Sequence, residues 1–221
     1  MAAQLPPPAQ ITNNDNNWPA DGAGLSGPKS FSNLGNAYNS ISQMLWPERV
    51  LVYSSVFGLR PKRCLEIGTF QGGSTLLIVA ALDDIGDGKL ICVDPYPKVT
   101  PENWAKVSHR ATMIQAMSPE ALAMAEIAAG GKFDWALIDG EHDYNSLVRD
   151  LEGTLTVLDD QAYILFHDAN YVGVDTGLRD MYAEHPELTD LGMMSKPRVP
   201  DPVTPGIFWG GIRMARFDRR K

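Results

Sequence analysis

The chain has 221 residues, 44% of them hydrophobic, and a formal net charge of −8 at pH 7, with a pI near 4.9. That length and composition fit one globular domain with a sizeable core and exclude a wholly disordered chain. The acidic balance argues against a phosphate backbone as partner and no apolar run is long enough to span a bilayer, so neither nucleic acid nor a membrane is an expected partner.

Residues 1–30 differ from the rest. Pro6-Pro7-Pro8, Asn13-Asn14-Asp15-Asn16-Asn17 and Gly22, Gly24 and Gly27 build no apolar face. They read as an extended arm with Trp18 as its anchor, either disordered or folded over a site or a neighbouring subunit, which leaves a homo-oligomer open. The first eight residues lack the basic region and apolar core of a secretory signal. From residue 31 to 221 the pattern is that of a folded domain. Leu34, Tyr38, Ile41 and Leu45 recur at helical spacing, and an apolar stretch from Val50 to Val56 follows.

After Arg60-Pro61-Lys62 an alternation begins. Cys64 to Ile67 reads as a strand closed by Gly68, and Ser74 to Leu82 as a helix. Lys89 to Val93 is a second strand ending at Asp94, with a helix over 101–108. Ala111 to Ala116 is a third strand. Ser118-Pro119-Glu120 then offers a helix start, with serine as cap, proline at the first position and an acid in the first turn. Phe133 to Ile138 is a fourth strand ending at Asp139. Tyr144, Leu147, Val148, Leu151, Leu155 and Leu158 form a helical stripe. Ala162 to Phe166 is a fifth strand ending at His167-Asp168. Thr176 to Glu184 is helical, Lys196 to Pro205 is a proline-rich loop without regular structure, and Ile207 to Ile212 returns as an edge strand.

Strands alternating with helices predict an α/β fold, a doubly wound, mostly parallel sheet with helices on both faces. Ligands on such sheets bind beyond the carboxyl ends of the strands, and those ends carry Glu66, Gly68, Asp94, Ser118, Asp139, His167 and Asp168. The turn Gly68-Thr69-Phe70-Gln71-Gly72-Gly73-Ser74 leads from a strand into a helix N-terminus. Its glycines let backbone approach a ligand, and its spacing is neither that of a dinucleotide fingerprint nor that of a P-loop. Asp94 suits the hydroxyls of a ribose. Cys64 and Cys92 lack CxxC spacing and sit in apolar runs, so they read as reduced core thiols of a cytoplasmic protein.

Cys64 to Ser74 resembles the first motif of class I S-adenosylmethionine-dependent methyltransferases, in particular the catechol and caffeoyl-coenzyme A O-methyltransferases and the related bacterial small-molecule enzymes. Ile138 to Tyr144 with Phe166 to Asn170 resembles their other signature. The resemblance runs from about Arg49 to Asn170 and implies a seven-stranded sheet of the Rossmann-like methyltransferase type. It further implies that Glu66, Gly68 and Ser74 hold the methionine end of the cofactor, that Phe70 lies along it, that Gly72 permits close approach and that Asp94 binds the ribose. Met117 and Ser118 would meet the adenine, and Asp139 would lie beside the methyl donor. Asp159-Asp160-Gln161 departs from the family's Pro-Gly-Gly turn.

Relatives with a divalent ion use the acid after the fourth strand and a pair after the fifth. Here those positions are Asp139, His167 and Asp168, with Asn170 as a further oxygen donor. Magnesium prefers oxygen ligands, whereas a histidine tilts a site toward manganese, iron or zinc. His142 occupies the offset of the family's catalytic lysine, and imidazole can take a proton near neutrality. The resemblance therefore implies transfer of the methyl group of S-adenosylmethionine to a hydroxyl of a small molecule, with a divalent metal, magnesium or manganese, assisting. The alternatives are a metal-independent methyltransferase, an NAD-dependent oxidoreductase and a non-catalytic S-adenosylmethionine-binding module. Trp18, Trp46, Trp104 and Trp209 are candidates for an aromatic pocket or for core packing.

Overall fold

The computed structural model describes residues 32–196 and 198–220. The arm of residues 1–30 and its anchor Trp18 lie outside them. The elements run in the order α1 (Ser32–Tyr38), α2 (Trp46–Leu59), β1 (Arg63–Ile67), α3 (Gly73–Ile85), β2 (Lys89–Val93), α4 (Pro101–Val107), β3 (Ala111–Ile114), α5 (Leu122–Ala129), β4 (Phe133–Ile138), α6 (Tyr144–Val157), β5 (Leu158–Phe166), α7 (Val172–Glu184), β6 (Leu188–Ser195), β7 (Val199–Pro200), β8 (Phe208–Trp209) and β9 (Ile212–Asp218).

Seven strands form one sheet in the order β3-β2-β1-β4-β5-β9-β6, and β7 and β8 form a separate ribbon. β1 to β5 pair in parallel, while β9 runs antiparallel to both β5 and β6. The two-residue period of the strands divides the core. Leu65, Ile67, Ile91, Val93, Ala136, Ile138, Ile164 and Phe166 pack under α5, α6 and α7. Cys64, Leu90, Cys92, Trp135, Leu137 and Leu165 face the other way, toward the layer of α1, α2 and α3. Strands buried on both faces read as continuous apolar runs, which is why β1, β2 and β4 are legible in the sequence.

Four local expectations change. Ile41 and Leu45 sit on a loop between α1 and α2 rather than on one long helix. The cause is the buried guanidinium of Arg49, which takes the carbonyls of Tyr38, Ser40, Ser42 and Met44. α5 begins at Leu122, not at Pro119. The Ser118–Pro119 peptide is cis, and Ser118 Oγ caps no helix. Val199 and Pro200 of the proline-rich segment pair with Phe208 and Trp209, so that segment is partly regular. The segment from Ile207 to Ile212 is no edge strand of the main sheet. β9 starts only at Ile212 and is inserted between β5 and β6, and β6 takes the edge.

Candidate active site

The carboxyl ends of β1, β2, β4 and β5 are held level by hydrogen bonds across the sheet edge. Gly68 N–H donates to Val93 O, Asp139 N–H to Ile67 O and His167 N–H to Ile138 O. Gly68 has φ +84°, and a Cβ there would stand 2.0 Å from Asp139 O, so the turn after β1 passes directly against the end of β4. Glu66 is 0% exposed. Its carboxylate accepts hydrogen bonds from Ser74 Oγ at 2.6 Å, Thr75 Oγ1 at 2.7 Å and Thr69 Oγ1 at 3.3 Å. Burial raises its pKa, against the hydroxyls that favour the charged form. Glu66 thus ties the turn to the first residues of α3 from behind.

Asp94 does similar work from β2. Its Oδ2 accepts the N–H groups of Thr69 and Phe70 at 2.8 Å each, and its Oδ1 that of Tyr96 at 2.7 Å. A carboxylate offers about four lone-pair sites, so roughly one is left for a ligand hydroxyl. Phe70 is exposed with φ +44°, and the Lys98 ammonium stands 5.0 Å from its ring centroid.

A second cluster forms where β4 and β5 end. Asp139, His142, His167 and Asp168 offer ligand atoms that all lie within 4.8 Å of one another. His167 Nδ1 is 2.9 Å from Asp139 Oδ1 and 3.2 Å from Asp168 Oδ2, while its Nε2 is 3.1 Å from Glu48 Oε2. His142 Nε2 is 3.0 Å from Asp168 Oδ2 and 3.6 Å from Asp139 Oδ1. Asp168 adopts φ +50°, a left-handed conformation that aspartate tolerates better than most residues, and Gly210 N–H donates to its Oδ1.

The charges act on one another. Burial opposes protonation of His167, but the charge and hydrogen bond of Asp139 and the bonds of Asp168 and Glu48 hold its pKa well above the usual imidazole value. Burial likewise opposes protonation of His142, yet Asp139 and Asp168 push it up to about 9. Burial would raise both aspartates, and the two imidazoles instead hold Asp139 below the usual carboxylate range and Asp168 far below it.

The donor set also fits a divalent cation. His142 Nε2 is buried and, for all its closeness to Asp168, makes no aligned hydrogen bond among the described residues, so it has a free valence toward the centre of the cluster. His167 spends Nε2 on Glu48 and presents Nδ1, the arrangement in which an outer carboxylate orients a metal-ligating imidazole. Two imidazoles and two carboxylates suit manganese, iron or zinc better than magnesium. One divalent ion would supply the same two positive charges as two imidazolium rings.

Both groups of residues open on one cavity of about 820 Å³, within the range of small-molecule sites. Gly68, Phe70, Ser74, Asp94, Met117, Ser118, Asp139, His142, His167 and Asp168 line it. Glu66 and Gly72 do not. Asn170 stands beside the cavity rather than lining it, its Nδ2 donating to Gly210 O at 2.9 Å. Of the described tryptophans Trp209 reaches the cavity, with Tyr171 stacked on it at 4.4 Å between ring centroids and the edge of its ring toward His142 at 5.4 Å. Trp46 packs instead against Tyr38 and Arg49, and Trp104 against the core.

A family model described as a methyltransferase domain matches residues 65–169, from β1 to just past Asp168. That stretch is therefore similar to a methyltransferase domain. Solved structures share its fold at low identity. The O-methyltransferase TomG of Streptomyces achromogenes, involved in tomaymycin synthesis and solved with S-adenosylmethionine, is 16% identical, with 89% of this chain and 93% of that one covered at a TM-score of 0.62. An O-methyltransferase of Bacillus cereus bound to S-adenosylhomocysteine is 17% identical over 87% and 94%, also at 0.62. A Podospora anserina methyltransferase bound to S-adenosylhomocysteine is 16% identical over 99% and 100%, at 0.54. Among curated protein sequences none matches the chain.

Two further residues stand at the site without a distinctive signal in the sequence. Glu48, on the first turn of α2, is 0% exposed. Besides His167 it accepts Leu45 N–H at 2.7 Å and Gly211 N–H at 2.6 Å, joining three segments far apart in the chain. The only signal for it is an acid in the first turn of a helix, which is too common to single it out. Asp150 on α6 also lines the cavity. In the sequence it is one more acid beside the apolar stripe of that helix.

Proposed function

We propose that this methyltransferase moves the methyl group of S-adenosylmethionine to a hydroxyl of a small molecule, with His142 as the base. The observation that carries the reading is the pair His142 Nε2–Asp168 Oδ2 at 3.0 Å, on the wall of a cavity that also holds the Gly68 turn and Asp94. The cofactor's methionine end would lie along Gly68, Phe70 and Ser74, with Gly72 shaping the turn and Glu66 holding it from behind. Asp94 would use its spare lone pair on a ribose hydroxyl, and Met117 and Ser118 would face the base. We take residues 31–221 as the catalytic domain and residues 1–30 as its arm.

The reaction then needs little from the protein beyond placement and one proton acceptor, since the sulfonium already activates the methyl group. The acceptor hydroxyl gives its proton to His142 Nε2. Its oxygen attacks the methyl carbon in line with sulfur, the carbon–sulfur bond breaks, and the electron pair returns to sulfur as S-adenosylhomocysteine forms. Asp168, and Asp139 behind it, stabilise the imidazolium that results. A divalent cation held by Asp139, His167 and Asp168, with His142 left as the base, would lower the pKa of the acceptor hydroxyl and orient it. Trp209 and Tyr171 give the acceptor end an aromatic wall. Two buried free thiols, Cys64 and Cys92, support a reducing compartment such as the cytoplasm, and among the described residues no helix is long and apolar enough to cross a membrane.

The test is formation of S-adenosylhomocysteine with a panel of catechols and sugars, before and after EDTA. The expected result is turnover that EDTA lowers and that manganese or magnesium restores. Turnover that EDTA leaves unchanged would remove the metal and leave the His142–Asp168 pair as the whole machinery. Methylation of amines or thiols in place of hydroxyls would contradict the proposed acceptor.

A further inference from the structure

Residues 41–44, between α1 and α2, form part of the cavity wall. They make no backbone–backbone hydrogen bond among the described residues, so regular structure does not fix them. Within the segment Ser42 Oγ accepts Met44 N–H at 3.2 Å. The rest comes from Arg49, on the first turn of α2. Its Nη1 donates to Tyr38 O and Ser40 O at 2.8 Å each, its Nη2 to Ser42 O at 2.6 Å and its Nε to Met44 O at 2.9 Å. The guanidinium is buried, with its carbon 4.3 Å from the Trp46 ring centroid, and these four partners are all neutral carbonyls. The segment is wound around a cation.

The same segment abuts the start of α3. A Cβ on Gly73 would stand 2.6 Å from Ser42 Cβ and 2.7 Å from Ile41 O, so residues 41 and 42 lie directly against the turn that leads into Ser74. Arg49 itself does not line the cavity and acts on it only through this wall. A planar fork of five N–H donors can serve carbonyls on several sides at once, whereas an ammonium offers three donors from one point. The wall is therefore in place before a ligand arrives. Ordering a segment on binding costs affinity, and a segment ordered beforehand spares that cost.

We propose that Arg49 is a positioning residue for cofactor binding, holding residues 41–44 as a preformed wall against the start of α3. This rests on the reading that the cavity takes S-adenosylmethionine. The ligand then meets a wall that it does not have to order, and the clamp acts on affinity without touching the ligand.

Calorimetric titration with S-adenosylhomocysteine at several temperatures tests this on the wild-type protein and on Arg49→Lys. Leaving even two residues for the ligand to order is worth about 10- to 100-fold in affinity, and the variant is expected to bind more weakly by about that factor. Its heat capacity change on binding is expected to be more negative, because binding then orders the segment as well. An arginine that only braced the fold would lower the melting midpoint and leave both quantities as they were. In folded Arg49→Lys, a loss of affinity below about fivefold or an unchanged heat capacity change overturns the proposal. Limited chymotrypsin digestion of the wild-type protein, read by fragment mass, decides without any variant. Cutting within residues 38–45 is expected to differ by less than about fivefold with and without S-adenosylhomocysteine, since the segment is already closed. A larger acceleration in the unliganded protein overturns the proposal. In each of these cases binding of S-adenosylhomocysteine itself leaves the cofactor reading standing. Absence of that binding in the wild-type protein overturns both.

Discussion

Replacing His142 with alanine is expected to lower kcat by about two to four orders of magnitude, the usual weight of a positioned acid–base group, while affinity for S-adenosylhomocysteine stays within about threefold. The reasoning is geometric. His142 lines the cavity and its Nε2 makes no aligned hydrogen bond among the described residues, whereas His167 has both ring nitrogens engaged by carboxylates. The change should therefore fall on the chemical step rather than on cofactor binding. Equal loss of cofactor affinity and turnover would assign His142 to binding instead.

The same residue sets a pH dependence whose sign can be worked out. Its partners Asp139 and Asp168 raise it to about 9 against the burial that would lower it, and only the neutral ring accepts a proton. Without a bound cation, kcat should rise about tenfold per pH unit from neutrality and level off near pH 9. Stability moves the opposite way. A histidine raised above its unfolded value stabilises the fold fully below about 6.5, and that contribution is lost as pH rises through 9. A stopped assay in EDTA across this range checks the first statement and thermal melts check the second. A flat kcat profile between pH 7 and 9 in EDTA would contradict the role of His142.

Glu48→Ala is expected to give the largest loss of stability of any single change at the site. The side chain is fully buried and accepts from Leu45 N, Gly211 N and His167 Nε2. Truncation strands the buried Gly211 N–H and the part-buried Leu45 N–H and leaves the raised His167 without one of its carboxylates. Removing one partner of a buried, hydrogen-bonded charge pair costs about 3–5 kcal/mol, and in a protein of this size that lowers the melting midpoint by roughly 6–20 °C. Glu48→Gln keeps one carbonyl acceptor and should lose less. A melting midpoint within about 2 °C of the wild type for the alanine variant would show that these bonds hold nothing together. Reduced turnover in folded Glu48→Gln would show in addition that it positions the ring of His167.

The physics of each element explains what the sequence made visible. β1, β2 and β4 are buried on both faces and read as apolar runs, each ending in a glycine or an acid, and α6 shows its buried stripe directly. Asp139, His142, His167 and Asp168 were legible because they cluster at strand ends in short local patterns. Glu48 was not, because it meets His167 across 119 positions and looks like any acid in a first helical turn. The loop between α1 and α2 keeps helical spacing in its apolar residues, but Arg49 takes the carbonyls that a helix would need. β6 is buried only at Leu188 and Ser195 and half-buried or exposed between them, so no alternation marks it. β9 enters the sheet between β5 and β6 by long-range pairing that local pattern does not encode.

The account depends first on the turn from Gly68 to Ser74 and Asp94 holding a nucleoside sulfonium. The most direct measurement is calorimetric titration of the wild-type protein with S-adenosylhomocysteine, run in parallel with NADH. The predicted result is one S-adenosylhomocysteine per chain at micromolar affinity and no heat from NADH. Binding of NADH with none of S-adenosylhomocysteine would contradict it.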